Sequence, residues 1–393
     1  MPKEMTMPKN IVFCADGTWN NPNEDENADR TPDPTNVYKL FLLLDGTLSV
    51  DSLRDADEQE KELITDGKTQ QIAKYLHGVG DSRNPIIKLL GGAFGVGVIA
   101  RVVRGYTFIS RNYVPGANII IVGFSRGAYT ARALAGLIVS QGLLAATLTQ
   151  DNELAYRRGA EAWYRYRNAT LFSSISLARL AEIAADLPAF VSQRKLNDSD
   201  LVPVDHIAAV GVWDTVGAMG VPDYVGKGNR VDAFKFANLK LSPKVTHGFH
   251  AVALDERRND FAPTLWDLAA NVTQVLFPGA HCDVGGGYPM TNDESGLSDG
   301  ALKWMVDQLT DVGVLFSTAQ AFPIKPNPNG VAHQPWAHLP FNLPGVPLGP
   351  RKFPKGMPQD PSIAARIAAG NVVPEPGEAP APYEPKNLPE YRS

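Results

Sequence analysis

IIIVGFSRGAYTARALAG, residues 119–136, runs branched apolar residues into a serine bracketed by Gly123 and Gly127, and then into an alanine-rich segment. The first part reads as a strand, Asn118 to Val122, buried on both faces; the last reads as a helix from Arg126 to about Gln141. A strand that ends at one glycine and restarts as helix after the next forces a tight turn at Ser125. Both flanking positions must lack side-chain bulk for neighbouring backbone to pass, which is the G-x-S-x-G nucleophile elbow. The turn lifts a hydroxyl off the sheet edge. The N–H groups that open the following helix, Arg126 first, have no intrahelical acceptor and point into the same space.

Working outward, Asn10 to Ala15 is another short apolar run, and further strands are expected near Ile72 to Leu76, at 206–213 and at 272–277. Helical patterns begin at Thr35 or Asn36, extend from about Asn84 to Tyr113, and recur near Ser298 to Val312. This alternation predicts βαβ units and a mostly parallel sheet flanked by helices, an α/β fold. Residues from about 150 to 200 read as two helices with no strand between them, a helical insertion on the sheet. From about Ala321 onward the chain holds more than half of its 31 prolines and shows little periodicity. The expected organisation is therefore a domain over 1–320 and an irregular Pro-rich extension over 321–393.

An activated serine needs a base, and elbow architecture orders the chain as nucleophile, acid, histidine. Six of the seven histidines follow Ser125. His206 begins a strand, at the wrong edge of the sheet. His247 and His250 are three apart on an expected helix, where packing or capping explains them. His333 and His338 fall in the Pro-rich tail. His281, in VLFPGAHCDVGGGY, follows a strand and enters a glycine-rich loop, so it is the candidate base. The candidate acid is Asp214, just past the strand end in GVWDTVGA. Its rivals are Asp255, for which pairing with Arg257 or Arg258 is expected, and Asp283, close enough to His281 to brace the loop. A second oxyanion donor is expected from ADGTWN, through Gly17 or Thr18, with Asp16 holding that loop or walling the site.

A formal charge of −5 over 393 residues gives no general attraction to phosphate backbones, so nucleic acid is excluded as a first expectation. No metal site is expected, because His281, Asp283 and Asp16 lack further spaced ligands. Cys14 and Cys282 are too few for a disulfide scaffold. The N-terminus has no apolar run before its first strand and no window is long enough to span a bilayer. Synthesis in the cytoplasm is expected, with export without a signal peptide compatible with it. The segment AYRRGAEAWYRYRNATLF interleaves arginines and aromatics. It reads as an amphipathic helix or as a peripheral lipid-contacting surface.

Several islands recur together: FCADGTWN, YLHGVG, GFSRGAYTAR, GVWDTVGA, ALDERRNDFAP, and FPGAHCDVGGGY followed by LSDGALKWM. Over about residues 10–313 the chain resembles the α/β-hydrolase-like family that includes the first class of type VI secretion phospholipase effectors and many uncharacterised bacterial and fungal proteins. By that resemblance Ser125, Asp214 and His281 fall on the family's triad positions, and ester hydrolysis is implied, with phospholipase activity in the secreted members.

The expected function is thus a serine esterase or lipase that cleaves carboxylic esters, lipid or phospholipid-like, through an acyl-enzyme and without a cofactor. A non-catalytic protein that keeps the scaffold for binding is the alternative, since a fold does not prove chemistry. Nucleotide binding at the same crevice is a third class.

Overall fold

The computed structural model describes residues 8–17, 32–52, 58–77, 94–171, 196–216, 239–319, 322–339, 341–343 and 346–388. Thr18, the second half of the 150–200 insertion and the start of the helix expected from Asn84 lie outside them. Eight strands form one sheet: β1 (Asn10–Ala15), β2 (Thr47–Leu48), β3 (Glu58–Thr65), β4 (Lys68–Leu76), β5 (Asn118–Phe124), β8 (Ile207–Trp213), β9 (Val245–Ala253) and β10 (Val272–Phe277). A two-residue pair outside it joins β6 (Leu143–Leu144) to β7 (Leu201–Val202). The sheet order is β10-β9-β8-β5-β1-β4-β3-β2, parallel from β10 to β4 and antiparallel at β3 and β2.

The period-2 alternation of strand side chains separates two cores. Ile11, Phe13, Ile119 and Ile121 face helices α2 (Phe94–Asn112), α3 (Arg126–Gln141) and α4 (Asn152–Leu171). Val12, Cys14, Ile120 and Val122 face α1 (Asn36–Leu43) and α6 (Gly296–Asp311), with the short α5 (His281–Gly285) near them. Each fully buried apolar side chain contributes roughly 1.5–3 kcal/mol, and the central strands β1, β5 and β8 consist largely of them.

Two elements differ from the sequence expectation. The segment holding His247 and His250 is not a helix but strand β9, whose exposed residues cluster at its start and whose remainder is buried. His250 is buried there. Its Nε2 accepts from the Thr215 N–H at 3.1 Å, its Nδ1 lies 3.2 Å from Gln274 Oε1, and burial pushes its pKa down to about 3. Strand β3, EQEKELIT, went unread because its inward positions are polar. One of them, Lys61, donates to the Leu42 and Leu44 carbonyls at 2.9 and 2.7 Å and so caps the C-terminal end of α1.

The Pro-rich segment is ordered against the sheet over the described residues. It carries α7 (Pro361–Ala368) and the hairpin β11 (Asn371–Val372) to β12 (Ala381–Pro382). Ile363 and Leu388 pack on Val252, Leu254 and Leu276, and Asp360 N–H donates to Leu276 O at 2.8 Å.

The winding reverses at the centre of the sheet. From β1 the chain crosses to the sheet edge at β2, steps back through β3 to β4 beside β1, and then places β5 on the other side of β1. The crevice between β1 and β5 is therefore a topological switch point, where ligands of α/β sheets bind. Ser125 lies at its carboxyl end.

Candidate active site

Ser125 sits at φ 57°, ψ −120°, a strained conformation for a residue with a side chain. Its surroundings hold it there. The Ser125 N–H donates to Trp213 O at 3.1 Å, and its carbonyl receives the Tyr129 N–H at 3.3 Å. A Cβ added to Gly127 would drive into the carbonyl oxygens of Ala15 and Asp16, and one on Gly123 would meet the Gly127 carbonyl. The two glycines of the motif are thus the places where α3 passes against β1 and against its own entry strand.

Register brings the acid alongside. Phe124 pairs with Trp213 across β5 and β8, so Ser125 and Asp214 leave adjacent strands at the same level. Asp214 also has positive φ, 34°, and its N–H donates to Ala251 O at 2.8 Å. Its Oδ2 lies 2.5 Å from His281 Nδ1, both side chains being buried. Burial would push this carboxyl up, but Arg351 and His281 together outweigh it and hold it well below the usual carboxylate range.

His281 opens α5, just beyond β10. Phe124 packs on one side of the ring with centroids 4.5 Å apart, and Phe261 packs edge-on at 5.0 Å. This apolar sandwich lowers the imidazole pKa below its ordinary value, against the opposing pull of Asp214. With Nδ1 facing Asp214, Nε2 carries the lone pair; that atom is buried and has no hydrogen-bond partner, so it is not bonded to the Ser125 hydroxyl in this structure. Catalytic hydrogen bonds are commonly long before substrate arrives.

The other expected residues take these places. Asp16 accepts from Thr35 Oγ1, from Tyr75 OH at 2.7 Å and from the Gly17 N–H at 2.6 Å, and burial pushes its pKa up to about 6. In this structure that bond engages the N–H of Gly17, the expected second oxyanion donor. Arg126 is the first residue of α3. Asp255 does not pair with Arg257 or Arg258: it accepts from Gly279 N–H and Tyr383 OH, both at 2.7 Å. Arg258 instead grips Glu256, at 2.8 and 2.7 Å, and Arg257 lies over Trp336. Asp283 accepts from the Ala280 N–H at 2.8 Å, and its Oδ1 lies 2.7 Å from Nδ1 of His333, a tail residue.

Sequence reasoning missed one site residue altogether. Arg351 donates to both Asp214 oxygens, at 2.7 and 2.9 Å, from a position 137 residues away along the chain. No local pattern could have found it. The wall beyond His281 continues through Phe261 to Phe341, edge-on at 5.9 Å, and Phe341 also lines a cavity of about 390 Å³ with Tyr288, His333 and His338. Among the described residues no group of three His, Cys, Asp or Glu side chains is placed to hold a metal ion, and no helix is long and apolar enough to cross a membrane.

Residues 9–308 match the family described as T6SS, phospholipase effector Tle1-like, catalytic domain. An uncharacterized protein of Saccharomyces cerevisiae is 28% identical over 267 residues, covering 64% of this chain and 32% of its own length. A crystal structure of an uncharacterized Pseudomonas aeruginosa protein superposes with a TM-score of 0.44 at 18% identity, over 79% of this chain and 46% of that one. The Tle1 effector bound to the VgrG spike of the type VI secretion system superposes with a TM-score of 0.37 at 19% identity, over 72% and 52%. The chain thus spans a third to a half of the length of these relatives. Because the match covers most of its residues, the chain belongs to the Tle1-like phospholipase effector catalytic-domain family.

Proposed function

We propose that the chain is a serine hydrolase of lipid carboxylic esters. The observation that carries this reading is the buried Asp214–His281 couple at 2.5 Å, set beside a serine held at positive φ on the adjacent strand end. Family membership supports a lipid ester as substrate. In this reading Ser125 Oγ attacks the ester carbonyl while its proton passes to His281 Nε2. The alcohol leaves with that proton, and water, deprotonated by the same nitrogen, releases the acid. Asp214 fixes the ring and stabilises its charged form. The Arg126 N–H, at the start of α3, supplies oxyanion stabilisation. Membership of an effector family also supports export of the whole protein through a type VI machine.

The test is a substrate panel from short nitrophenyl esters to phospholipid micelles, with the products identified. Fatty-acid release is expected, falling about 10⁴-fold or more in Ser125→Ala. A folded protein that releases no acid from any ester would point instead to a binding scaffold.

A further inference from the structure

The C-terminal segment delivers one partner to each of three aspartates around the His281 loop. Arg351 takes Asp214, His333 takes Asp283, and Tyr383 takes Asp255. The last two tie down the loop that carries His281, since Asp283 also accepts from Ala280 N–H and Asp255 from Gly279 N–H. The first reaches the residue that holds the imidazole itself.

Arg351 is buried, and its fork is used on both sides. Nη1 donates to Asp214 Oδ1 and to Ala253 O, each at 2.7 Å; Nη2 donates to Asp214 Oδ2 at 2.9 Å and to Phe261 O. Asp214 Oδ1 also accepts from the Ala253 N–H at 2.9 Å, and Oδ2 faces His281. All four acceptor positions of the carboxylate are thereby filled, which leaves it one orientation.

We propose that Arg351 is a positioning residue of the active site: the C-terminal segment supplies a guanidinium that fixes both oxygens of Asp214 and neutralises that carboxylate beside His281. The proposal rests on the serine-hydrolase reading.

Among the described residues the charges facing this pair are few. His281 meets Asp214, Arg258 and Glu256, whose Oε2 accepts the His281 N–H at 3.3 Å, but Glu256 and Arg258 already form a closed bidentate pair. Cys282 follows His281 in the chain, and Asp283 is held by His333. His250, kept neutral by burial, feels both Arg132 and Asp214. Among the described residues Arg351 is the cation bonded to Asp214. In a triad without such a cation, the carboxylate's full negative charge favours the imidazolium. With it, the base stays neutral to lower pH, and activity persists further into acid. His281 works above its pKa, so removing the Arg351 charge raises that pKa and moves the acid limb of activity upward.

The test is the pH dependence of kcat/KM on a short nitrophenyl ester for wild type, Arg351→Gln and Arg351→Lys, with thermal midpoints checking that each is folded. The wild-type acid limb is expected below about 6.5, the ordinary histidine value. Arg351→Gln is expected to raise it by about one pH unit, and to lower the plateau roughly tenfold or more as Asp214 loses its fixed orientation. Arg351→Lys, which keeps the charge and loses the fork, should return the limb toward wild type without restoring the plateau. A folded Arg351→Gln with an unmoved acid limb overturns the proposal. Should that variant not fold, the wild-type profile decides, because a limb at about 7 or above is that of an unbalanced Asp–His couple and overturns it equally. Absence from wild type of both ester turnover and fluorophosphonate labelling at Ser125 instead sinks the serine-hydrolase reading on which the proposal stands.

Discussion

His281→Ala is expected to fold like the wild type and to lose about 10⁴-fold or more of its ester turnover, whereas Asp214→Asn is expected to lose activity and stability together. The contrast follows from what each change leaves behind. Removing the imidazole leaves Asp214 bonded to Arg351 and to the Ala253 N–H, so no buried charge is orphaned. Removing the carboxylate charge strands the guanidinium of Arg351, a residue 6% exposed, beside a neutral amide. Breaking a buried ion pair from one side costs about 3–5 kcal/mol. Steady-state kinetics with thermal or urea unfolding of both variants measures the difference. Equal stability of the two would show that the Asp214–Arg351 pair is not what the geometry says it is.

The second large effect belongs to the elbow. Gly127→Ala places a methyl group against the Ala15 and Asp16 carbonyl oxygens, which are backbone atoms of the central strand and cannot turn aside. A loss of more than about 4 kcal/mol is expected, enough to prevent accumulation of folded protein in many domains of this kind. Gly300→Ala is the control. That glycine lies in α6 with nothing within 4 Å of the added carbon, so the same substitution should stabilise by about 0.5–1 kcal/mol through helix propensity. Circular dichroism melts of the two proteins distinguish the steric account from a general intolerance of glycine replacement.

The parts of the fold that were legible were those whose physics is local. Strands β1, β5 and β8 are buried on both faces, so they read as unbroken apolar runs, and α3 is legible because Gly127, in its first turn, also closes the elbow. Asp214 and His281 could be nominated from chain order and strand ends, since the parallel register puts those ends on one edge of the sheet. Illegible features depend on partners distant in the chain. Strand β3 carries its inward Lys61 because α1 leaves carbonyls to be capped, and β9 hides its period behind an exposed Thr246 and His247 at its entry. Asp255 and Asp283 looked like local loop braces or arginine partners, yet Tyr383 and His333 arrive from the Pro-rich segment to meet them. Arg351 belongs to the same class. Nothing in GPRKFP indicates that its arginine is buried or what carboxylate it meets.

In the proposed mechanism one hydroxyl at the strand-to-helix turn is made reactive by the His281 imidazole. The measurement that tests it most directly is peptide mapping after treatment with a fluorophosphonate probe, in wild type and in His281→Ala. A single adduct on Ser125, formed rapidly in wild type and at least about 10³-fold more slowly in the variant, is the result predicted. Ester-hydrolysing protein that carries no adduct at residue 125, or labels there equally well without the imidazole, would contradict it.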